Sequence, residues 1–336
     1  MPPELAITVI IPTHNRAGLI RRAVASVLAA SGPDDEVIVI DDGSTDDTRN
    51  ALASLQTRIR YIYTSHQGAG AARNRGIEEA RNPFVAFLDS DDEWMDGKIR
   101  LQRALLTSTP DVLFCFSNFA VRYTSGEEEH NYLHNWQRDS RSWEEIVGRG
   151  VQFSSIAPLP GGRDDFNVYI GDNLYLSQMF ADYVPTITVV LRQDRTVRTL
   201  RFAEDLALYE DWEYFARLSR MGKVAYLDCE TAWNHEHMGH RLTSVNPLNT
   251  MTARIKILER VWGMDLEFLA KHGDEYRTVL AEQRLMRAKE LIVLGRIQDA
   301  RDDLRQIQDV PISLKAATLV PQNVLKGVLA LRRWLR

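Results

Sequence analysis

Cysteine is scarce in this chain of 336 residues: Cys115 and Cys229 are the only two, with no CxxC pair and no metal-ligand spacing. That excludes a disulfide framework and a cysteine-built zinc module, and it fits a reducing cytosol. Cys115 lies within Val112-Leu113-Phe114-Cys115-Phe116, the setting of a buried free thiol. Long apolar runs are also missing, none approaching the roughly 18–20 residues that cross a bilayer. Met1-Pro2-Pro3-Glu4 is not a basic region followed by an apolar stretch, so no signal peptide is expected. These absences predict a cytoplasmic protein, soluble or peripherally attached. The formal net charge is only −5, so no nucleic-acid partner is expected. A complete Gly-x-Gly-x-x-Gly is absent too. Gly68-Ala69-Gly70 is followed by Arg73 and comes after the third strand, not the first, which argues against a dinucleotide cofactor. His235-Glu236-His237-Met238-Gly239-His240 lacks the His-Glu-x-x-His spacing of a zinc hydrolase.

What is present is ordinary globular material, 44% hydrophobic and 26% charged, enough for a substantial core. The organising stretch is Phe84-Val85-Ala86-Phe87-Leu88-Asp89-Ser90-Asp91-Asp92, an apolar run that ends abruptly in carboxylates. Such a run predicts a strand buried on both faces, and open α/β sheets place ligands at the C-terminal ends of such strands. Clustered acidic oxygens there suit a hard divalent cation, Mg2+ or Mn2+, held partly by substrate phosphates; capping of a following helix is the plain alternative.

Upstream, Ala6–Pro12, Glu36–Ile40 and Ile59–Tyr63 read as further strands. They run into Thr13-His14-Asn15-Arg16, Asp41-Asp42-Gly43-Ser44-Thr45-Asp46 and Gly68–Gly76, with helical patterns between. That alternation predicts βαβ units and a parallel sheet whose polar strand ends share one edge. A helix is expected over Met95–Leu106, a strand over Val112–Phe119, another over Pro185–Arg192 and another over Val224–Leu227. Between Tyr123 and Tyr183, Trp136, Trp143, Phe153, Phe166, Tyr169 and Tyr175 are scattered among loop signals. They suit either stacking on sugar rings or packing under the loops. Tyr209-Glu210-Asp211-Trp212 opens a helix with acidic residues in its first turn. From Met251 onward the pattern is helical, with a hairpin over Glu282–Leu294 and Ile297–Ile307 turned at Gly295. The segment Val324–Arg336 carries four basic residues and no acidic one. It reads either as a helix on an anionic membrane surface or as one docked on its own domain.

Five stretches, in order, resemble the inverting family 2 glycosyltransferases of the GT-A fold. They are Ile10–Arg16, Val39–Asp46, Ala72–Gly76, Phe87–Asp92 and Glu210-Asp211-Trp212. Each motif alone is weak, and together they cover roughly residues 5–240. The resemblance implies an α/β GT-A fold with a Rossmann-like, mostly parallel central sheet flanked by helices and a C-terminal helical extension. It implies a domain at 1–245, with a nucleotide-sugar half at about 1–120 and an acceptor and catalytic-base half at about 121–245, followed by a helical region at 246–336.

Carried over residue by residue, Pro12, Thr13, Asn15 and Arg16 would line the nucleotide pocket. Asp41 and Asp42 would accept from a uracil ring, and Arg73 would contact base or diphosphate. Asp89-Ser90-Asp91 matches the DxD element, with Asp89 and Ser90 on the nucleotide and Asp89 and Asp91 on the metal. His237 resembles a histidine that completes such a site, in competition with His235 and His240. Asp211 matches the catalytic base.

The implied partners are a nucleotide-sugar donor, a UDP-sugar first, and a glycan, lipid-linked or protein-linked acceptor. The implied setting is glycan, polysaccharide or lipopolysaccharide assembly. The chemistry makes matching demands: a departing nucleoside diphosphate needs its charge neutralised, and inversion needs one base on the acceptor's face. A sugar nucleotidyltransferase would place a glycine-rich basic loop after the first strand, where Pro12-Thr13-His14-Asn15 stands. A non-catalytic sugar- or nucleotide-binding module would need neither Asp91 nor Asp211.

Overall fold

The computed structural model describes residues 6–136, 139–160, 163–193, 197–237 and 246–319. Gly161, Gly162, His240 and the basic segment 324–336 therefore lie outside the described residues. The chain divides into two compact units, Met1–Gly239 and His240–Arg336.

The first unit is built on one sheet, with eleven strands among the described residues. In chain order these are β1 (Ile7–Thr13), β2 (Glu36–Asp42), β3 (Arg60–Thr64), β4 (Phe84–Phe87), β5 (Glu93–Trp94), β6 (Val112–Arg122), β7 (Glu128–Glu129), β8 (Arg149–Gln152), β9 (Asn167–Gly171), β10 (Val190–Arg192) and β11 (Lys223–His235). The spatial order is β3-β2-β1-β4-β10-β6-β11-β9-β8, with β5 beside β11 and β7 beside β6. The run β3-β2-β1-β4 is wholly parallel, as is the β6–β11 pair. β10 is antiparallel to both of its neighbours, β4 and β6. The β-branched and aromatic content of β1, β2 and β4 follows from burial on both faces.

Helix Ala69–Glu79 packs on β1 and β2. It comes so close at Gly76 that an added Cβ would stand 2.3 Å from Ile10 Cγ2.

Two local expectations are corrected, and one left open is decided. The helix expected from Met95 starts at Lys98, because Glu93 and Trp94 pair with β11 and Gly97, at φ 82°, turns the chain in the left-handed region. The strand expected from Pro185 is a 3-10 turn, Thr186–Thr188, followed by the short β10. Pro185 O takes both the Thr188 amide at 2.9 Å and the Thr188 hydroxyl at 2.8 Å, which closes that turn. The aromatics of 123–183 are mostly core. Trp143 stacks on Tyr226 at 3.9 Å, Tyr169 stacks on it at 6.0 Å, and Phe153 and Tyr175 are buried. Trp136 keeps an exposed ring.

The second unit contains helices Pro247–Val261, Leu266–Val293, Ile297–Arg305 and Ile312–Leu319. The long helix bends at His272, whose φ of −127° is not helical. Gly295, at φ 76°, ends it, and Arg296 N returns to Leu291 O at 2.8 Å, the glycine-centred helix stop expected there. Ala288, Leu291, Ile292, Ala300 and Leu304 form its core. Among the described residues no helix is long and apolar enough to cross a membrane.

Candidate active site

The parallel strands β1 to β4 deliver their polar ends to one edge. The first two loops clasp one another. Asn15 takes a left-handed conformation at φ 52°, which its short polar side chain tolerates. Its Oδ1 accepts from the amides of Thr45 at 2.8 Å and Asp46 at 3.2 Å, and its own amide donates to Ser44 Oγ at 2.8 Å. Arg16 N donates to Thr48 Oγ1 at 3.0 Å. Thr13 is buried, and its Oγ1 has no hydrogen-bond partner among the described residues. A buried polar atom of that kind needs an explanation.

Asp41 and Asp42 are both buried. Asp41 Oδ1 accepts from Ser44 N at 2.7 Å, and its Oδ2 accepts from the Tyr61 hydroxyl. Burial first, and the Asp41 charge with it, push the Tyr61 phenol above its usual range. Asp42 accepts from the amides of Gln67 and Gly68, each at 2.8 Å, and lies 2.9 Å from His66 Nδ1. Asp42 thus organises the loop after β3. His66 stacks on His14 with ring centroids 4.1 Å apart, a pair that sequence reasoning missed.

Arg73 lies on the buried face of its helix and is 4% exposed. It donates to Asp89 Oδ1 at 2.8 Å and to Glu210 Oε1 at 2.7 Å. It therefore links the end of β4 to the start of helix Glu210–Ser219. Burial opposes the guanidinium charge, but Asp89, Glu210 and Asp211 outweigh it and raise its pKa. Enclosure raises the carboxyls of both Asp89 and Glu210, and in each case Arg73 pulls the other way.

Asp91 Oδ2 lies 2.8 Å from His237 Nε2 and 3.8 Å from Arg16 Nε. Its carbonyl accepts from Arg22 at 2.5 Å, and Ser90 beside it is buried. Asp92 is turned inward instead, accepting from Asn234 Nδ2 at 3.0 Å and His235 N at 2.9 Å. Burial first, then the charges of Asp91 and Asp89, push its carboxyl well up. His235 pairs with Glu93 at 3.0 Å, so of the described histidines in that cluster His237 is the one on Asp91.

Asp211 stands in the first turn of helix Glu210–Ser219. Tyr209, immediately before that helix, has φ 61°, a conformation that costs a non-glycine residue about 1 kcal/mol or more. Asp211 Oδ1 accepts from Trp212 N at 2.9 Å, and its Oδ2 accepts from the Thr186 hydroxyl at 3.0 Å. Trp212 is fixed in turn, its Nε1 donating to Gln178 O at 2.9 Å.

Among the described residues no three His, Cys, Asp or Glu side chains form a metal-holding group. Asp91 with His237, and Asp89 beside them in sequence, offer one or two carboxylates and an imidazole. That donor set fits Mg2+ or Mn2+ whose remaining ligands are substrate phosphates and water, and does not fit an all-protein cage.

Residues 8–160 match the family model described as glycosyl transferase family 2. The chain is 35% identical over 132 residues to the putative teichuronic acid biosynthesis glycosyltransferase TuaG of Bacillus subtilis, covering 38% of this chain and 52% of that one. It is 32% identical over 120 residues to the UDP-Glc:alpha-D-GlcNAc-diphosphoundecaprenol beta-1,3-glucosyltransferase WfgD of Escherichia coli, covering 35% and 47%. An uncharacterized glycosyltransferase of Rickettsia conorii is 43% identical over 124 residues, which is 36% of this chain and 19% of that one. The chain therefore spans about half or less of the length of these curated relatives. In fold it is similar to residues 1–349 of S. aureus TarS, solved with UDP-GlcNAc. The TM-score is 0.58 at 17% identity, covering 93% of this chain and 84% of that one. That likeness gives the GT-A architecture.

Proposed function

Because this chain belongs to glycosyl transferase family 2 through residues 8–160, we propose that it moves a sugar from a UDP-sugar to an acceptor hydroxyl with inversion. The proposed acceptor is a glycan or lipid-linked saccharide in polysaccharide or lipopolysaccharide assembly. Two kinds of relative support the donor and setting: the WfgD name gives UDP-Glc and a diphosphoundecaprenol acceptor, and TarS was solved with UDP-GlcNAc.

In this reading Pro12, Thr13, Asn15, Arg16, Asp41, Asp42, Arg73, Asp89 and Ser90 form the donor half within residues 1–120. The Thr13 hydroxyl, buried without a partner among the described residues, is available to a polar group of the nucleotide. Asp41 reaches the base through lone pairs that Ser44 and Tyr61 leave open, since each carboxylate oxygen has two. Asp42 and Arg73 act by holding the loop and Asp89 in place. Asp91 and His237, with Asp89 two residues before Asp91, would hold a divalent cation together with the substrate's phosphates, and such an ion would supply positive charge against the departing diphosphate. Asp211 accepts the proton of the acceptor hydroxyl as the sugar–oxygen bond forms. Residues 121–245 make the acceptor side, where the exposed Trp136 ring suits a sugar face.

The Arg73 bridge is the observation that carries this reading. One guanidinium holds Asp89 of the acidic donor motif and Glu210, the neighbour of Asp211. The two half-sites that the chemistry requires are thus coupled through a single side chain.

The test is nucleotide release from UDP-, GDP- and dTDP-sugars with Mn2+, with Mg2+ and with chelator. Metal-dependent release from one donor is expected, and D211N should abolish it while leaving UDP affinity intact. Failure to bind UDP in calorimetry would overturn the proposal. Peripheral attachment through 324–336 is a separate element of it, and deletion of that segment should reduce sedimentation with anionic liposomes.

A further inference from the structure

Asp211 is held by a neighbour outside its own helix, 25 residues upstream. We infer that Thr186 is a positioning residue of the transfer reaction, fixing the Asp211 carboxylate through its hydroxyl. This rests on the reading of Asp211 as the base.

The geometry is that of a fixed bracket. An aspartate in the first turn of a helix has several rotamers open to it, and its own backbone bond, Trp212 N to Oδ1 at 2.9 Å, leaves Oδ2 to choose. The Thr186 hydroxyl settles that choice at 3.0 Å. Each carboxylate oxygen then has one donor and keeps a second lone pair for an incoming hydroxyl.

Thr186 is itself enclosed. It is 5% exposed and begins a 3-10 turn whose carbonyls are held from beneath. Trp94 Nε1 donates to Ile187 O at 2.9 Å, Lys98 Nζ to Thr188 O at 2.8 Å and Gln102 Nε2 to Thr188 O at 2.6 Å. The Thr188 hydroxyl returns to Pro185 O at 2.8 Å and accepts from Ser117 N at 3.2 Å. Trp94, Lys98 and Gln102 are all buried.

The bracket also explains an otherwise odd expenditure, a fully buried lysine with a carbonyl and an amide side chain as its hydrogen-bond partners. Burying a lysine amine is costly, and here it fixes the turn that orients the base. Trp94 comes two residues after Asp92, so this turn rests on the continuation of the acidic donor motif. It forms a second link between donor and acceptor sides, independent of Arg73.

The experiment compares wild type, D211N, T186V and T186S. It follows UDP release from UDP-glucose, or from whichever donor of the panel is turned over, with UDP binding by calorimetry and thermal melting alongside. Misplacing a reacting group by about 1 Å costs on the order of 100-fold. T186V keeps the shape of threonine without the hydroxyl, so its kcat should fall about 10- to 100-fold, with donor KM, UDP affinity and Tm unchanged. T186S, which restores the hydroxyl, should recover most of the rate. If D211N is inert and T186V turns over like wild type, the inference about Thr186 is wrong while Asp211 stands. A T186V that loses UDP affinity and melting temperature along with rate makes Thr186 structural, which also overturns it. If D211N retains activity, the base assignment itself fails.

Discussion

Replacing Arg73 by methionine keeps much of the side-chain volume and removes the guanidinium from between two carboxylates. Of the two bonds lost, one ends on Glu210, whose side chain is 9% exposed, and the other on Asp89, 34% exposed. Orphaning a buried ion costs about 3–5 kcal/mol. Solvent reaches Asp89, so its share falls to about 0–1 kcal/mol, and Glu210 dominates a loss of about 3–4 kcal/mol. For a unit the size of Met1–Gly239, at about 2–4 °C per kcal/mol, that is a drop in Tm of about 6–16 °C.

The loss should depend on pH, with a definite sign. Burial raises the Glu210 carboxyl above its ordinary value and Arg73 opposes that rise, so removing Arg73 raises it further. A carboxyl whose folded pKa exceeds its unfolded one is penalised increasingly as pH climbs from the unfolded value to the folded value. The deficit of R73M relative to wild type should thus be large at pH 8 and shrink toward pH 5. Urea melts of both proteins at the two pH values measure it, and E210Q added to R73M should restore part of the stability. An equal deficit at both pH values, or one below about 1 kcal/mol, would refute the argument that Glu210 carries a buried charge compensated by Arg73.

Three further outcomes are expected. Asp91→Asn should remove the metal dependence of UDP binding measured by calorimetry; equal binding with Mn2+ and with chelator in the wild type would deny Asp91 that role. Gly76→Ala should cost about 1–3 kcal/mol in a denaturant melt, because its Cβ would meet Ile10 Cγ2 at 2.3 Å, and an unchanged midpoint would mean the helix can retreat from β1. Burial lowers the Lys98 pKa from 10.5 to about 7. Between those values the unfolded chain binds the extra proton, so the stability of wild type relative to K98M should rise with pH across that window; a pH-independent difference would show that Lys98 is not desolvated.

The parallel half of the sheet was legible because each of its strands is an apolar run stopped by a polar cluster, a pattern set by burial on both faces. Of the strand expected over Pro185–Arg192 only the last three residues form β10, since the proline-started segment before them folds back on its own carbonyl. Carboxylates read alike in a sequence whether they await a ligand or hold a loop, and the bonds of Asp42 to the amides of Gln67 and Gly68 lie outside what spacing tells. Arg73 was expected to face the ligand. Helical spacing places Gly70, Arg73, Gly76 and Ile77 on one side, and that side is buried. Trp143 and Tyr169 were ambiguous because their shared partner, Tyr226, lies far along the chain.

The antiparallel placement of β10 has a consequence for biosynthesis. During synthesis, β1 to β4 have their mutual partners within residues 7–87 and can pair early. The other edge of Phe84–Phe87 must wait for Val190–Arg192, and until then an apolar strand edge is open to intermolecular pairing. Until that three-residue strand arrives, this edge exposes the nascent chain to aggregation, and chaperone demand is expected there. Loop closure over so long a separation also predicts slow completion of the sheet relative to its parallel half.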